Sequence, residues 1–275
     1  MLEKKIAFLG TGNMAEALIK GLLRAGTARP EQITATFRRQ ERLEEFRKSY
    51  PVALTLDNVA AAKGAEVVVL SVKPQAMRKL LVQIAPAIDH TQLVISIAAG
   101  VPIEALEQKL GAGARIVRAM PNTPSLVGAG ACALSGGEHA TQEDLEVASS
   151  IFSAVGITTV VDESLMDAVT GLSGSGPAYV FLVIEALSDA GVKVGLPRYT
   201  ALKLAAQTLL GSAKLLIETG AHPGHLKDQV TSPGGTAIAG LHTLEAGGLR
   251  TTLMNAVEAA TKRARELGDQ FLEKE

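Results

Sequence analysis

The chain has 275 residues, enough for one large or two modest domains that each bury a core. Lysine and arginine total 27 against 28 acidic residues, so the chain has no broad basic field, and we expect neither nucleic acid nor a membrane as partner. The single cysteine, Cys132, excludes an internal disulfide, a cysteine-based zinc site and a dithiol redox centre. No apolar run approaches the roughly 20 residues that span a bilayer, so we expect a cytoplasmic protein.

In the first half of the chain, short β-branched segments alternate with segments of helical periodicity. We predict strands over residues 5–9, 33–37, 67–72, 93–97, 115–119 and 158–161. Such alternation is typical of βαβ units on a parallel sheet. The fold class is therefore predicted to be α/β, with an N-terminal Rossmann-type dinucleotide-binding domain over residues 1–162.

After residue 162 the apolar residues recur at spacings of three and four, which predicts an all-helical C-terminal domain over residues 163–275. Residues 201–217 have an apolar face with lysines on another, and the last helix has an apolar residue at about every fourth position from Leu253 to Leu267. Residues 178–187 are apolar almost all round. That segment predicts a buried helix, most simply in the domain core and otherwise between subunits.

A glycine-rich turn, Gly10-Thr11-Gly12-Asn13-Met14-Ala15, follows the first predicted strand and begins a helix. In this GxGxxA pattern the first glycine makes the tight turn, the second lets a pyrophosphate approach the backbone, and the small Ala15 allows close helix packing. The helix N-terminus favours bound phosphate. The position of the motif in a βαβ unit therefore predicts a dinucleotide site.

The second strand discriminates between the two nicotinamide cofactors. An NAD site has a carboxylate near the end of this strand for the ribose 2′-hydroxyl, whereas this chain has Arg38-Arg39. Guanidinium groups suit a 2′-phosphate. We therefore predict NADPH as the cofactor, with NADH as the alternative. The competing interpretation is that the two arginines belong to a solvated charged turn and bind no cofactor.

Two later strand ends complete the crevice in which open α/β sheets bind ligands. They are Ser71-Val72-Lys73-Pro74 and Ser96-Ile97-Ala98-Ala99-Gly100. Small residues let a nicotinamide ring approach the backbone, and Lys73 is a candidate for binding a phosphate, a ribose or a substrate carboxylate. An ordinary surface lysine is equally compatible with the sequence.

Two loops of the second half combine hydroxyl residues, glycines and a proline. They are residues 172–178, including Ser175 and Gly176, and residues 230–236, including Ser232, Gly234, Gly235 and Thr236. Each predicts a helix start with clustered backbone N–H donors suited to an anion, although ordinary helix capping accounts for either alone. Together they predict an anionic small-molecule substrate.

Other catalytic patterns are missing from the sequence. The five histidines form no HxxxH pair, and the chain has neither a GxSxG nucleophile motif nor a phosphate-binding GxxxxGK[ST] motif. We therefore predict no metal site. Cys132 lies among small apolar residues and is predicted to be buried.

In combination the motifs resemble the pyrroline-5-carboxylate reductase family. The resemblance covers nearly the whole chain, and its most specific parts are residues 167–179, DAVTGLSGSGPAY, and residues 228–236, DQVTSPGGT. Met120-Pro121-Asn122-Thr123-Pro124 also contributes. The resemblance implies reduction of 1-pyrroline-5-carboxylate to L-proline by hydride transfer from NAD(P)H, the last step of proline biosynthesis. It also implies that the helical domain forms a homodimer, and that several dimers assemble into a higher homo-oligomer.

The predicted site residues combine the loops and strand ends described above with the positions that the resemblance implies. The cofactor positions are Leu9, Gly10, Thr11, Gly12, Asn13, Met14, Phe37, Arg38, Arg39, Asn58, Val72, Lys73, Pro74, Ala98, Ala99 and Gly100. The substrate positions are Glu163, Ser175, Gly176, Gln229, Ser232, Gly234, Gly235, Thr236 and Ala237. Thr236, Lys73 and Glu163 are the expected catalytic residues.

One departure concerns the proton donor. The family usually has a threonine where this chain has Ala237, so Thr236, or a water bound to it, is the expected substitute. Two alternative functions stay open at this point. One is another NADP-dependent imine or hydroxy-acid dehydrogenase, with Lys193, Lys203 or Lys214 as proton carrier; the other is a non-catalytic NADP sensor.

Overall fold

The computed structural model describes residues 2–273. They form an eight-stranded sheet with helices on both faces, followed by a series of helices. The strands are β1 Ile6–Leu9, β2 Ile33–Thr36, β3 Ala53–Thr55, β4 Val67–Leu70, β5 Leu93–Ser96, β6 Arg115–Met120, β7 Gly130–Gly136 and β8 Gly156–Val160. The α-helices are α1 Asn13–Arg24, α2 Gln40–Arg47, α3 Asn58–Lys63, α4 Pro74–Ile84, α5 Ile103–Leu110, α6 Gln142–Ser153, α7 Met166–Val169, α8 Gly176–Lys193, α9 Arg198–Thr219, α10 Pro223–Gln229, α11 Thr236–Ala246 and α12 Leu249–Glu273.

The sheet confirms the predicted fold class. The strand order is β3-β2-β1-β4-β5-β6-β7-β8, and the first six strands have the doubly wound arrangement of dinucleotide-binding sheets. Strands β1 to β6 are parallel, β7 runs antiparallel to β6, and β8 is parallel to β7. The strand order reverses between β1 and β4, so ligands are expected beyond the carboxyl ends of those two strands.

Alternating side chains divide the core between the two faces of the sheet. On one face Ile6 and Phe8 of β1 contribute to a cluster with residues of α1 and α6. On the other face Ala7 and Leu9 contribute to a second cluster with residues of α4 and α5. Burial on both faces accounts for the continuous apolar strands seen in the sequence.

The described chain divides into two compact units. Of the described residues, one unit comprises 2–175 with 258–273, and the other comprises Gly176–Val257. The predicted boundary after residue 162 stays a prediction. No described residue after β8 lies in a strand, as expected for an all-helical second half.

One expectation about the helices is wrong for the single chain. Helix α8 is not a core helix, because Ser188 is its only buried residue and the side chains of Phe181 and Leu182 are each 65% exposed. In the apolar face of α12, only Ala264 is buried. The apolar surface of α8 is therefore exposed in the single chain rather than packed in its core.

The expected loop at residues 172–178 is also wrong. Residues Thr170–Gly174 form a π-helical turn between α7 and α8, and the Ser175 N–H donates to the Thr170 carbonyl over 2.8 Å. A Cβ on Gly174 would lie 2.5 Å from Cε of Met120, so a larger residue here would displace the end of that side chain. The cluster of free backbone donors predicted there is not formed.

Among residues 2–273, no helix is both long and apolar enough to cross a membrane.

Candidate active site

The turn between β1 and α1 lies at the reversal point of the sheet. Gly10 has a φ of +93°, and a Cβ there would lie 2.5 Å from Cγ1 of Val72, so both the backbone conformation and the packing require glycine. The Ser71 hydroxyl donates to the Gly10 carbonyl over 2.9 Å. The turn is thereby fixed against the end of β4.

Gly12 has a different reason to lack a side chain. Its φ is −93°, and a Cβ would have no atom within 4 Å, so the fold itself does not require glycine here. Gly12 is the N-cap of α1, and no side chain caps this helix. Open space over uncapped N–H groups at a helix N-terminus fits a pyrophosphate.

A chain of hydrogen bonds connects this turn to neighbouring elements. The Gly10 N–H donates to the Thr36 hydroxyl over 2.9 Å, and that hydroxyl donates to Oδ1 of Asn58 over 2.6 Å. The Asn58 amide then donates to Oε1 of Gln83 over 3.1 Å. These hydrogen bonds therefore connect the end of β1 with β2, α3 and α4 around one opening.

That opening is a cleft of about 680 Å³. It brings together five of the predicted cofactor residues and seven residues not predicted from the sequence. The lining residues are Gly10, Thr36, Phe37, Arg38, Leu56, Asn58, Val72, Ala76, Lys79, Leu80, Val82 and Gln83. None of them is acidic. The lining therefore has two cations and no anion, which fits an anionic ligand.

Other predicted cofactor residues lie outside this lining. The side chain of Leu9 is fully buried in the core, so only its backbone is open to a ligand. Arg39 is exposed as the N-cap of α2, and Lys73 is exposed as the N-cap of α4, immediately before Pro74. Neither cation has a partner within the described part of the chain.

The β5–α5 connection contains the remaining predicted cofactor residues. Ala98 is buried and Ala99 is exposed. Gly100 has a φ of +68°, and its missing Cβ would lie 3.2 Å from Cβ of Leu267 in α12. The backbone conformation of Gly100 thus favours glycine, and its close approach to α12 leaves little room for a side chain.

Glu163 has strong partners within the first unit. Its Oε1 accepts the Ile103 N–H over 2.7 Å, at the start of α5, and lies 3.1 Å from Nη1 of the buried Arg118. Asp167 lies 3.7 Å from the same guanidinium. Glu163 is therefore a hydrogen-bonded and ion-paired residue of the first unit rather than a solvated helix charge. Arg118 was not predicted from the sequence, although a charged residue inside a buried strand is itself a signal.

Asn122 of the MPNTP segment connects two parts of the first unit. Its Oδ1 accepts the Ala131 N–H over 2.9 Å, and its Nδ2 donates to the Ser173 carbonyl over 3.0 Å. This motif therefore positions the π-helical turn that precedes α8.

In the second unit the glycine-rich loop before α11 has the predicted form. Gly234 has a φ of +69°, the Gly235 N–H donates to the Ser232 carbonyl over 3.0 Å, and Gly235 is the N-cap of α11 without a side-chain cap. Gly234 and Gly235 line a cleft of about 530 Å³, together with Lys227, Ile238, Ala239, Leu241, His242 and Glu245. Free N–H groups at the start of α11 are suited to a carboxylate.

Thr236 and Ala237 begin α11. The Thr236 side chain is exposed, and no described residue hydrogen-bonds its hydroxyl. The nearby Gln229 is also exposed, and its Nε2 lies 3.0 Å from Nε2 of His225. The hydroxyl at position 236 is thus free to meet a ligand, whereas Ala237 offers only backbone groups.

Comparison with known proteins identifies the family of this chain. Residues 163–267 match the family model for pyrroline-5-carboxylate reductase dimerisation, and residues 5–100 match that for coenzyme F420-dependent NADP oxidoreductases. The pyrroline-5-carboxylate reductase of Methanosarcina acetivorans is 48% identical over 98% of this chain and 99% of its own length. The chain belongs to the pyrroline-5-carboxylate reductase family.

Solved structures of the family agree with this assignment. The pyrroline-5-carboxylate reductase of Coxiella burnetii is 41% identical with a TM-score of 0.92, covering 97% of this chain and 99% of that one. The Plasmodium falciparum enzyme, solved with NADP bound, is 35% identical with a TM-score of 0.87, covering 98% and 99%. Membership confirms the predicted function, an NAD(P)H-dependent reduction of 1-pyrroline-5-carboxylate in proline biosynthesis, and favours it over the two alternatives.

Proposed function

We propose that the chain binds NADPH in preference to NADH, in the cleft that includes Gly10, Arg38 and Asn58, and reduces 1-pyrroline-5-carboxylate to L-proline. The observation that carries the cofactor preference is the composition of that cleft, which has two cations and no carboxylate in its lining. An NAD site would require an acidic partner for the ribose 2′-hydroxyl.

The bound nicotinamide supplies the hydride, and the protein supplies orientation and electrostatics. Gly10, Thr11, Gly12, Asn13 and Met14 hold the pyrophosphate at the N-terminus of α1. Lys73, Pro74, Ala98, Ala99 and Gly100 form the adjoining strand ends, where Lys73 offers an unpaired ammonium to a phosphate or a carboxylate. Val72 and Phe37 shape the cleft, and Arg39 adds positive charge beside Arg38.

The substrate carboxylate binds the loop before α11, through Ser232, Gly234 and Gly235. Binding there fixes the ring and converts binding energy into orientation. The Thr236 hydroxyl, directly or through a water, gives the ring nitrogen its proton. Gln229 and Ala237 adjoin this loop in sequence. Glu163, Ser175 and Gly176 stay further candidates for contact with the substrate.

We further propose a cytoplasmic homodimer, assembled into a higher homo-oligomer through a helical domain that begins at residue 163. The second unit supports this, because Phe181, Leu182 and Ile217 expose 65%, 65% and 79% of their surface and a second copy would cover them. Light scattering on a sizing column should give a mass of at least two chains. Phe181→Asp should shift that mass toward the monomer, whereas Ile157→Asp, on the exposed edge strand β8, is the matched control.

The direct test of the activity is the loss of NADPH absorbance with purified protein and 1-pyrroline-5-carboxylate, beside NADH, with proline identified as the product. Faster turnover with NADPH at equal subsaturating concentrations supports the whole proposal. Cofactor binding without turnover would contradict the enzymatic part and favour the NADP sensor.

A further inference from the structure

The cleft lined by Arg38 has a second cation that the family motifs do not include. Lys79 is the sixth residue of α4, six residues after Lys73, and it lines the same cleft as Arg38, Thr36 and Asn58. Its side chain is exposed, and no residue between 2 and 273 pairs with it. An unpaired ammonium in a ligand cleft favours an anionic group of the ligand.

Each side-chain acceptor of this hydrogen-bond chain already receives one hydrogen bond from the protein. The Thr36 hydroxyl accepts the Gly10 N–H, Oδ1 of Asn58 accepts the Thr36 hydroxyl, and Oε1 of Gln83 accepts the Asn58 amide. A free ribose 2′-hydroxyl would need such an acceptor, whereas a 2′-phosphate needs donors and positive charge.

Apolar side chains of the same lining fit the rest of an adenosine. Leu56 and Val82 are 47% and 69% exposed, and both line this cleft. Packing of an adenine ring would remove their surface from water. The adenosine end of the cofactor therefore has an apolar wall and two cations within one cleft.

From this arrangement we infer that Lys79 is a specificity-determining residue that binds the 2′-phosphate of NADP together with Arg38. The inference rests on the proposed binding of the adenosine end of the cofactor in this cleft. Arg38 supplies a planar guanidinium for paired hydrogen bonds, and Lys79 supplies a flexible point charge from the α4 side of the cleft. Removing Lys79 costs affinity only for ligands with the 2′-phosphate.

Calorimetric titration of Lys79→Met with NADP⁺ and NAD⁺ tests this without turnover. We expect the Kd for NADP⁺ to rise about tenfold, as for loss of one charged hydrogen bond, and the Kd for NAD⁺ to stay within about twofold. Lys79→Arg should retain most of the affinity. Lys63→Met is the matched control, since Lys63 is an exposed lysine of α3 outside the cleft lining, and it should change neither Kd.

A second titration isolates the phosphate itself. The affinity ratio of 2′,5′-ADP to 5′-ADP should fall about tenfold in Lys79→Met, and the fall should shrink at high salt because the attraction is screened. An unchanged ratio, or equal losses for both ligands, would overturn the inference. If Arg38→Ala alone lowers that ratio, the proposed cofactor preference stands while Lys79 has no part in it; if neither variant lowers it, both fail.

Discussion

The guanidinium of Arg118 lies 3.1 Å from Oε1 of Glu163, the same oxygen that accepts the N–H of Ile103. This pair joins strand β6 to the first residue of α5 and to the segment before α7. The Arg118 side chain is only 7% exposed and that of Glu163 is 33% exposed. Arg118 therefore stabilises the connection that leads from Ala98 to α5.

Loss of this pair should destabilise the protein. We expect Arg118→Met to lower the free energy of unfolding by about 2 kcal/mol, less than for a fully buried pair because Glu163 keeps contact with water. Urea denaturation at one fixed protein concentration measures it. In a double-mutant cycle with Glu163→Gln the two effects should not add, and strict additivity would show that the pair contributes nothing.

The Arg38 guanidinium should determine the preference for NADPH. Arg38→Ala should raise the KM for NADPH by about tenfold or more, because a charged hydrogen-bond donor to the 2′-phosphate is lost, while the KM for NADH should change little. Initial rates with both cofactors measure this. Arg47→Ala, which removes an exposed arginine of α2, is the control, and equal changes in both constants for Arg38→Ala would refute the assignment.

Much of the first unit follows from the sequence, because buried parallel strands are apolar and continuous and because the glycine motif follows β1 directly. Strand β3 has only three residues, and none of them is fully buried. Strand β7 is GACALSG and has no β-branched residue. Neither β3 nor β7 therefore shows the residue pattern of a strand. Lys79 was not predicted as a cofactor residue, because one lysine on a helix has no distinctive spacing. The exposure of apolar side chains on α8 depends on how the helices pack, which the sequence pattern does not show.

Asp144 should make the free energy of unfolding fall at acid pH. Burial disfavours its carboxylate, but hydrogen bonds from the Arg115 guanidinium and from the N–H and hydroxyl of Thr141 outweigh burial and hold the pKa of Asp144 below its ordinary 3.8. A lowered pKa in the folded state contributes stability that is complete above the unfolded pKa and is lost as the pH falls through the folded pKa.

Asp144→Asn should therefore lower the free energy of unfolding by about 2 kcal/mol at neutral pH, and the gap to the parent chain should close below pH 3.8. Urea titrations at neutral and at acid pH measure that gap. Glu146→Gln is the control, since Glu146 is in the same helix without this burial. A gap that stays constant with pH would contradict the assigned role.

Cys132 should be unreactive in the folded protein. Its side chain is 4% exposed, and burial raises the pKa of its thiol, so the thiolate that reacts with disulfide reagents is scarce. A colorimetric thiol assay should detect almost no reaction in buffer and one thiol per chain in denaturant. Rapid reaction in buffer would show that β7 opens readily.

Thr236 decides whether this chain keeps a side-chain proton donor. Position 237 is alanine, and the hydroxyl of Thr236 has no hydrogen-bond partner among the described residues. Thr236→Val keeps the shape and β-branching while removing the hydroxyl, so we expect the turnover number to fall by roughly a hundredfold, the lower end for loss of a general acid. The KM for NADPH should change little. Thr236→Ser should retain most activity, and Ala237→Thr in the Thr236→Val background should restore part of it. Thr236→Val removes only the hydroxyl at an exposed first position of the helix. Unchanged turnover would therefore show that this hydroxyl does not donate the proton, and would assign the proton to water or to another residue.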